Sequence, residues 1–461
     1  YLYQSGKSLS GVGTLSIWVK GVGSTIGKNF ELRNASPPYK NVVLTGEWQR
    51  VEHFNNTASG TSVGFEYGNP AVAGDVVHIY QAQYEQGLVA TDYIETTTTS
   101  VSAGILEDMP RLDYSGSCPS LLLEPQRSNL VTQSESMNQY TPVNGTIIPN
   151  SLTSPEGLLN AVKFAENSAN NLHYFDSNSI SVTSGTKYTI SVFAKYNGRF
   201  LTFQGSGALN SAFATFNLQN GTIEQQSVGT ASIEEMSNDW YRCSIIVQMT
   251  QTGNAVMSIL LNDSATGGRS RSYQGNGSSG VYLYGFQVEQ GSYPTSYIPT
   301  YGTSQTRSRD FMNEQISGLT SLEQGTFFLD FDRGLTTATT RDASADGFNY
   351  RSTSSFPSNT AIEIATDIGG GVRLALRLGS FNGIYSDNTL SRYKMLVKWS
   401  GSEVKAYVNG SLEYSSSVKW GDALAPLQYI GYNATFRKSV NQLLTFPTAL
   451  TDSECIALTT L

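Results

Sequence analysis

Charge is what this chain has least of. Asp, Glu, Lys and Arg make up 14% of its 461 residues, against roughly 25% in ordinary soluble domains. The net charge is −8 and no basic run occurs, which excludes nucleic-acid binding, because phosphate contacts need clustered Lys and Arg. Its three cysteines, Cys118, Cys243 and Cys455, are too few and too scattered for a disulfide framework or a zinc motif. His53, His78 and His173 have no second His or Cys at ligand spacing, so a His-based metal site or triad is not expected. The apolar runs fall well short of the ~20 residues of a membrane helix, and no membrane insertion is expected. Phosphate-cradling glycine motifs, nucleophile elbows and Cys–His pairings are missing as well.

What fills the gap is Gly, Ser, Thr and Asn, with 26 Tyr and 20 Phe. That mixture suits short strands joined by polar turns, with aromatics on pleated faces. The expected fold class is all-β, a tandem array of β-sandwich (jelly-roll) modules. The strongest pattern is an internal repeat: YQAQYEQGLVATDYIET at 80–96 returns as YGFQVEQGSYPTSYIPT at 284–300. Gln83, Glu85, Gln86, Gly87, Tyr93 and Ile94 reappear as Gln287, Glu289, Gln290, Gly291, Tyr297 and Ile298. Farther upstream, SIWVK at Ser16 answers SVFAK at Ser191, and EWQRV at Glu47 answers DWYRC at Asp239. YLYQSGKSLSG at Tyr1 likewise resembles HYFDSNSISVTSG at His173.

The repeat divides the chain. Residues 1–100 form a first module and residues 138–310 a second, joined by a connector at 101–137. The second carries some thirty further residues before His173, including TSPEGLLNAVKF. The first module is therefore expected to be incomplete at its N-terminal side, lacking an opening strand, with the natural polypeptide extending farther. Trp48 and Trp240 are expected in the core, and Arg50 and Arg242, two positions on, to fix turns. A third module at 318–461 differs: alternating strands, a hairpin at Val408-Asn-Gly-Ser, and a terminal helix capped by Thr451 or Asp452 with Glu454 in its first turn.

The motifs WYR, GFQVEQGSYPTSYIPT and TSQTRSRD, with the connector PRLDYSGSCPSLLLEPQRSNLVTQSES, resemble a module widespread in tailed-phage virion proteins. The likeness covers most of 101–310 and is weaker over 1–100, where TSYIP has become TDYIE. Such modules resemble carbohydrate-binding-module jelly rolls. YKMLVKWSGSEVKAYVNGS followed by FPTALTDSECIAL resembles a concanavalin A/laminin-G-like sandwich. The resemblance implies a structural or adhesion protein on the phage particle surface, a head or tail fibre or decoration. Its partners would be other virion proteins and glycans of the host or its surroundings. Fibres of this kind suggest a homo-oligomer such as a trimer.

Sugar binding by a β-sandwich needs aromatic faces with nearby amides or carboxylates. Tyr196, Asn197 and Phe200 near a strand end, and Tyr273, Gln274 and Asn276 in a Gly/Ser loop, are the candidates; the bland reading is that these aromatics cap the sandwich. No cofactor is expected. Asp342, Asp346 and Asn349 offer oxygen ligands for a structural calcium, or make a plain acidic loop. Asp330 and Asp332 share one face of a strand. The Glu-x-Asp-x-x-Glu pattern of concanavalin-like glucanases is missing, so both aspartates are read as outward and solvated and no catalytic residue is expected. The alternatives to adhesion are a polysaccharide-degrading virion enzyme and an architectural spacer.

Overall fold

The structure is a computed structural model that describes residues 2–6, 9–67, 72–96, 111–114, 118–209, 212–315, 323–333, 347–351, 360–366, 371–378, 380–401, 403–417, 429–433 and 438–461. Asp342 and Asp346, and the side chain of Asn349, lie outside the described residues. The described chain is nearly all β. It divides into two compact units, Tyr1–Ile105 with Ser128–Thr306, and Leu106–Arg127 with Arg307–Leu461. The two repeat copies share the first unit, and the connector is divided between the two.

Within the first unit, the second copy is a two-sheet sandwich. One sheet runs Gly145–Leu152, Ala161–Glu166, Gly280–Gln290, Lys187–Asn197, Tyr241–Gln248, Thr230–Glu235. Opposite it stand Pro142–Val143, His173–Asp176, Gly253–Asn262, Phe200–Gly207, Phe213–Asn217 and Thr222–Gln226, with Ile180–Val182 also paired to Gly253–Asn262. The strands fill the interior by alternation: Ile190, Val192 and Ala194 of one sheet meet Phe203, Ile259 and Phe216 of the other.

The first copy repeats this order in fewer strands. Gln49–Gly60, Leu9–Val22 and Val76–Gln86 form one sheet; Leu2–Gln4, Val63–Tyr67, Asn29–Asn34 and Lys40–Val43 form the other. Registers match residue for residue. Trp18 sits opposite Tyr80 and Arg50, as Phe193 sits opposite Tyr284 and Arg242. Both repeat strands bulge at the same step, and there Gln81 (φ 51°) stands where the second copy has Gly285 (φ 64°). The two copies thus occupy equivalent topological places.

The conserved letters of the repeat form one hydrogen-bonded clamp, built twice. In the second copy Glu289 Oε1 accepts from Gln287 Nε2 (2.6 Å) and Thr295 N (2.8 Å), and Oε2 accepts from Thr295 Oγ1 (2.7 Å). Gln287 Oε1 accepts from Ile298 N (2.8 Å), and Arg242 donates to Thr295 O (2.5 Å). In the first copy Glu85 accepts from Gln83 (2.8 Å), Thr91 N (2.8 Å) and Thr91 Oγ1 (2.6 Å). Gln83 accepts from Ile94 N (2.7 Å), and Arg50 donates to Thr91 O. The strand is thereby pinned to the tail that follows its glycine turn. Arg50 and Arg242 do fix turns.

The second unit is a sandwich of a six-stranded and a seven-stranded sheet. In Gly325–Arg333, Phe327, Leu329 and Phe331 enter the core between the sheets, while Phe328 turns to the opposite face and meets Cys455 of the helix Asp452–Thr459. Thr451 is the N-cap and forms a capping box with Glu454. Asn409 (φ 48°) and Gly410 (φ 85°) make the expected hairpin turn. The connector contributes Arg111–Asp113 and Ser120–Leu123 to the seven-stranded sheet, beside Lys438–Phe446. Just after these strands, buried Glu124 takes Arg307 (3.0 Å) and Arg111 (3.3 Å), and Asp310 binds Arg111 and the Glu124 amide (2.6 Å). The RLD, LLLE and RSRD letters are an ion network that locks these segments together.

Two expectations are corrected. Trp240 is buried, but Trp48 is exposed at the surface, because no described strand lies over it as Ala161–Glu166 and Leu152 lie over Trp240. Asp330 is not a solvated outward aspartate: it is buried, held by Arg392 through two bonds (2.9 and 2.7 Å), and joined to Asp332 by the Asn441 amide.

Candidate functional site

The six residues singled out for sugar contact fall around one side chain, Arg199. The strand Lys187–Asn197 ends at Tyr196 and Asn197, Gly198 turns the chain at φ 93°, and Phe200 opens the next strand. Gly198 also abuts Ser279, so the 273–279 loop lies against this turn; a Cβ at 198 would sit 2.7 Å from Ser279 Oγ. Only glycine fits there.

From this turn Arg199 reaches inward and binds buried Glu166 at 2.6 and 2.5 Å. Its guanidinium lies 5.2 Å from the Tyr273 ring centre. Glu166 also accepts from Tyr273 Oη (2.7 Å) and Asn276 N (2.7 Å). Burial first, and the bond to Glu166 second, push the Tyr273 phenol far above its ordinary value. This carboxylate is therefore paired with Arg199 and accepts four hydrogen bonds.

Above this hub, Tyr196, Asn197, Phe200 and Tyr282 are half-buried. The rings of Tyr196 and Phe200 lie 6.1 Å apart at 52°, and Asn197 Nδ2 donates to Tyr282 Oη (3.3 Å). Tyr196 packs on the interior cluster and Tyr282 on the cluster around Trp240 at the other face of the sheet. The half-exposed edges of Tyr196 with Phe200, and of Tyr282 with Asn197, are thus two patches of stacking and hydroxyl-bonding chemistry at one strand end. Tyr273 contributes no such surface, since it is buried against His173 with ring centres 4.7 Å apart. Gln274 donates to Ser168 O (2.5 Å), and the Asn276 carboxamide closes its own turn through Ser278 and Ser279. All three hold the loop, Gln274 and Asn276 while exposed and Tyr273 while buried; sequence spacing alone does not show which of them is covered. Tyr282 was not singled out; its alternation with the core residue Leu283 in YLYGF is the sequence feature that turns it to the outer face beside Asn197.

One acidic group behaves differently. Glu135 is buried, accepts from Tyr301 Oη (3.1 Å), and is pushed up to about 8 by burial and by the charge of Glu156. Glu156 accepts from Tyr284 Oη and from Asn160 Nδ2 (3.4 Å). Among the described residues, no group of three or more His, Cys, Asp and Glu side chains is placed to hold a metal ion. No described helix is long and apolar enough to cross a membrane.

Neither a family profile nor a characterised protein sequence matches the chain. Among solved structures, the binding domain of Paraclostridial Mosquitocidal Protein 1 aligns at 13% identity and a TM-score of 0.26, covering 34% of this chain and 43% of that one. Trypanosoma rangeli sialidase aligns at 10% identity and a TM-score of 0.25, covering 65% of this chain and 60% of its own. Its complex with 2,3-difluorosialic acid aligns at 11% identity and the same TM-score. The chain thus spans less than two thirds of the length of these proteins. At such scores the likeness carries no argument about either fold or activity.

Proposed function

We propose that the chain is a structural and adhesive protein of a tailed-phage particle, whose sandwich modules present surface to glycans of the host or its surroundings. The observation that carries this reading is the duplicated sandwich with its twice-built Gln-x-Glu clamp, joined to the phage-like connector motifs. The carboxylates at the candidate site and on the Gly325–Arg333 strand are engaged by Arg199, Arg392 and neighbouring donors, which suits a role in shape and binding. Weak sugar contacts gain strength when modules repeat or chains assemble. The glycan contacts are assigned to the half-exposed edges of Tyr196, Asn197, Phe200 and Tyr282 around this strand end. Purified particles carrying this chain would bind a panel of host polysaccharides, and Phe200→Ala with Asn197→Ala would weaken binding at least tenfold, with circular dichroism of the variant showing the sandwich still folded. Unaltered binding in that double variant would sink the assignment of the surface, and absence of the chain from purified particles would sink the virion role.

A second reading has one observation in its favour. The Glu135 carboxyl, buried and accepting from Tyr301, is pushed up to about 8 by burial and by the nearby Glu156, and glycoside hydrolysis employs one such raised carboxyl with a second close by. Depolymerisation of a host polysaccharide that vanishes in Glu135→Gln would establish it.

A further inference from the structure

We propose that the outer edge of the strand Val76–Gln86 is an acceptor for a β-strand supplied by polypeptide outside these 461 residues, of the alternating apolar type of the chain's own Ala161–Glu166. The molecule contains its own control, because the equivalent strand of the second copy, Gly280–Gln290, has that edge covered. Val162, Lys163, Phe164 and Ala165 pair antiparallel with Leu283, Tyr282, Val281 and Gly280. Beyond the bulge, Leu130 N donates to Val288 O (2.8 Å), Phe286 N to Ser134 O (3.0 Å), and Asn129 Oδ1 accepts from Val288 N (3.1 Å). Val76–Gln86, by contrast, pairs with Leu9–Val22 alone among the described residues.

The side chains report the same gap. Tyr80 is 61% exposed where Tyr284 is 4%, and Trp48 is 45% exposed where Trp240 is 2%. Ile79 and Tyr93 are exposed where Leu283 is buried and Tyr297 half-buried. In the second copy these groups close around Ala161, and Leu152 packs on them. In the first copy Trp48 is left with His78 and Tyr80 as ring neighbours, at 6.3 and 6.4 Å. The facing sheet opens at the matching place. Leu2, directly opposite the core residue Phe65, is 55% exposed, whereas Phe175, opposite the core residue Ile259, is fully buried, edge-on to Phe164 at 5.2 Å.

An unpaired row of N–H and C=O groups flanked by exposed aromatics is what strand addition uses: main-chain bonds give affinity and alternate side chains give selectivity. By the register of the second copy, the incoming strand runs antiparallel to Val76–Ile79. It carries a small residue over Trp48, an aliphatic residue beside Ile79 and an aromatic one beside Val77 on the side of the core that Leu2 faces.

The test uses the whole 461-residue chain and a synthetic peptide of residues 158–167, LLNAVKFAEN. Hydrogen exchange at the amides of 76–80 should slow at least tenfold on adding the peptide, and the fluorescence that Trp48→Phe removes should shift to the blue. A peptide with Lys163 replaced by proline should do neither, and Tyr80→Ala with Ile79→Lys in the protein should abolish the effect without lowering the melting temperature. Three results would overturn the proposal. One is no protection at the highest peptide concentration. Another is slow exchange of 76–80 in the monomeric chain without peptide, meaning its own residues cover the edge. The last is a dimer that Ile79→Lys dissociates, meaning a second copy does.

Discussion

At the scale of single residues, the same letters do different amounts of work in different surroundings. Glu289 is buried, and burial, resisted by its bonds from Thr295 and Gln287, raises its pKa. Glu85 holds the same donors near water. Leaving a buried donor unsatisfied costs about 1–3 kcal/mol, whereas water replaces a lost partner at the surface. Glu289→Ala should therefore lower stability by about 2–3 kcal/mol in urea denaturation, and Glu85→Ala by under about 1 kcal/mol. Equal losses would mean that the clamp does not depend on burial. Glu135 gives a pH dependence with a definite sign. Its carboxyl titrates near 8 in the folded chain and in the ordinary range near 4.5 when unfolded. Between those values the native state holds a proton that the unfolded state has released, so this group's contribution declines as pH rises through the window. Glu135→Gln should flatten that decline and melt higher than the parent above pH 8, as scanning calorimetry at several pH values would show.

At the scale of elements, alternation and turn chemistry were legible before any tertiary contact. LSIWVK, TKYTISVFAK, GTFFLDFD and YKMLVKW are strands because period-two apolar residues face a core. The terminal helix follows from Thr451 and Glu454, whose side chains satisfy each other's backbone amides. Thr451→Ala should cost about 1 kcal/mol and speed amide exchange in Asp452–Thr459, leaving the sheets unchanged. The strand Asn29–Asn34 was not legible, since NFELRN mixes polar and apolar letters over too few residues for the period to stand out. Its identity as a strand comes from pairing with Val63–Tyr67 and from Asn34, whose buried amide donates to Gly13 O (2.6 Å) and His53 O (2.8 Å).

At the scale of the whole molecule, the chain visits each compact unit twice, and the connector shows why such organisation escapes sequence reading. Residues 101–137 read as one connector docking against its neighbours, with LLLE a short buried strand, but the letters do not say which sheet each part joins: Arg111–Asp113 and Ser120–Leu123 complete a sheet of the second unit, while Asn129 and Ser134 line the Gly280–Gln290 strand of the first. Glu124→Ala would leave Arg111 and Arg307 buried without their shared carboxylate, a loss of roughly 3–5 kcal/mol for a broken buried pair. Unfolding followed by hydrogen exchange should show that loss in the strands of 307–461, with the repeat strands spared. The candidate glycan surface was half visible for a similar reason: both clusters were nameable from composition, but their convergence on Arg199 and Glu166 joins residues far apart in the chain.

The sequence alone determined that the protein is β throughout, that one unit is duplicated, and where turns and the terminal cap fall, because alternation, left-handed glycines and capping pairs act over a few residues. Tertiary structure alone decided which member of each duplicated pair is buried. Trp48 and Trp240 carry the same local code, and Glu85 and Glu289 the same clamp; their environments differ because burial is set by which distant strand lies across them, and no local pattern records a neighbour's presence.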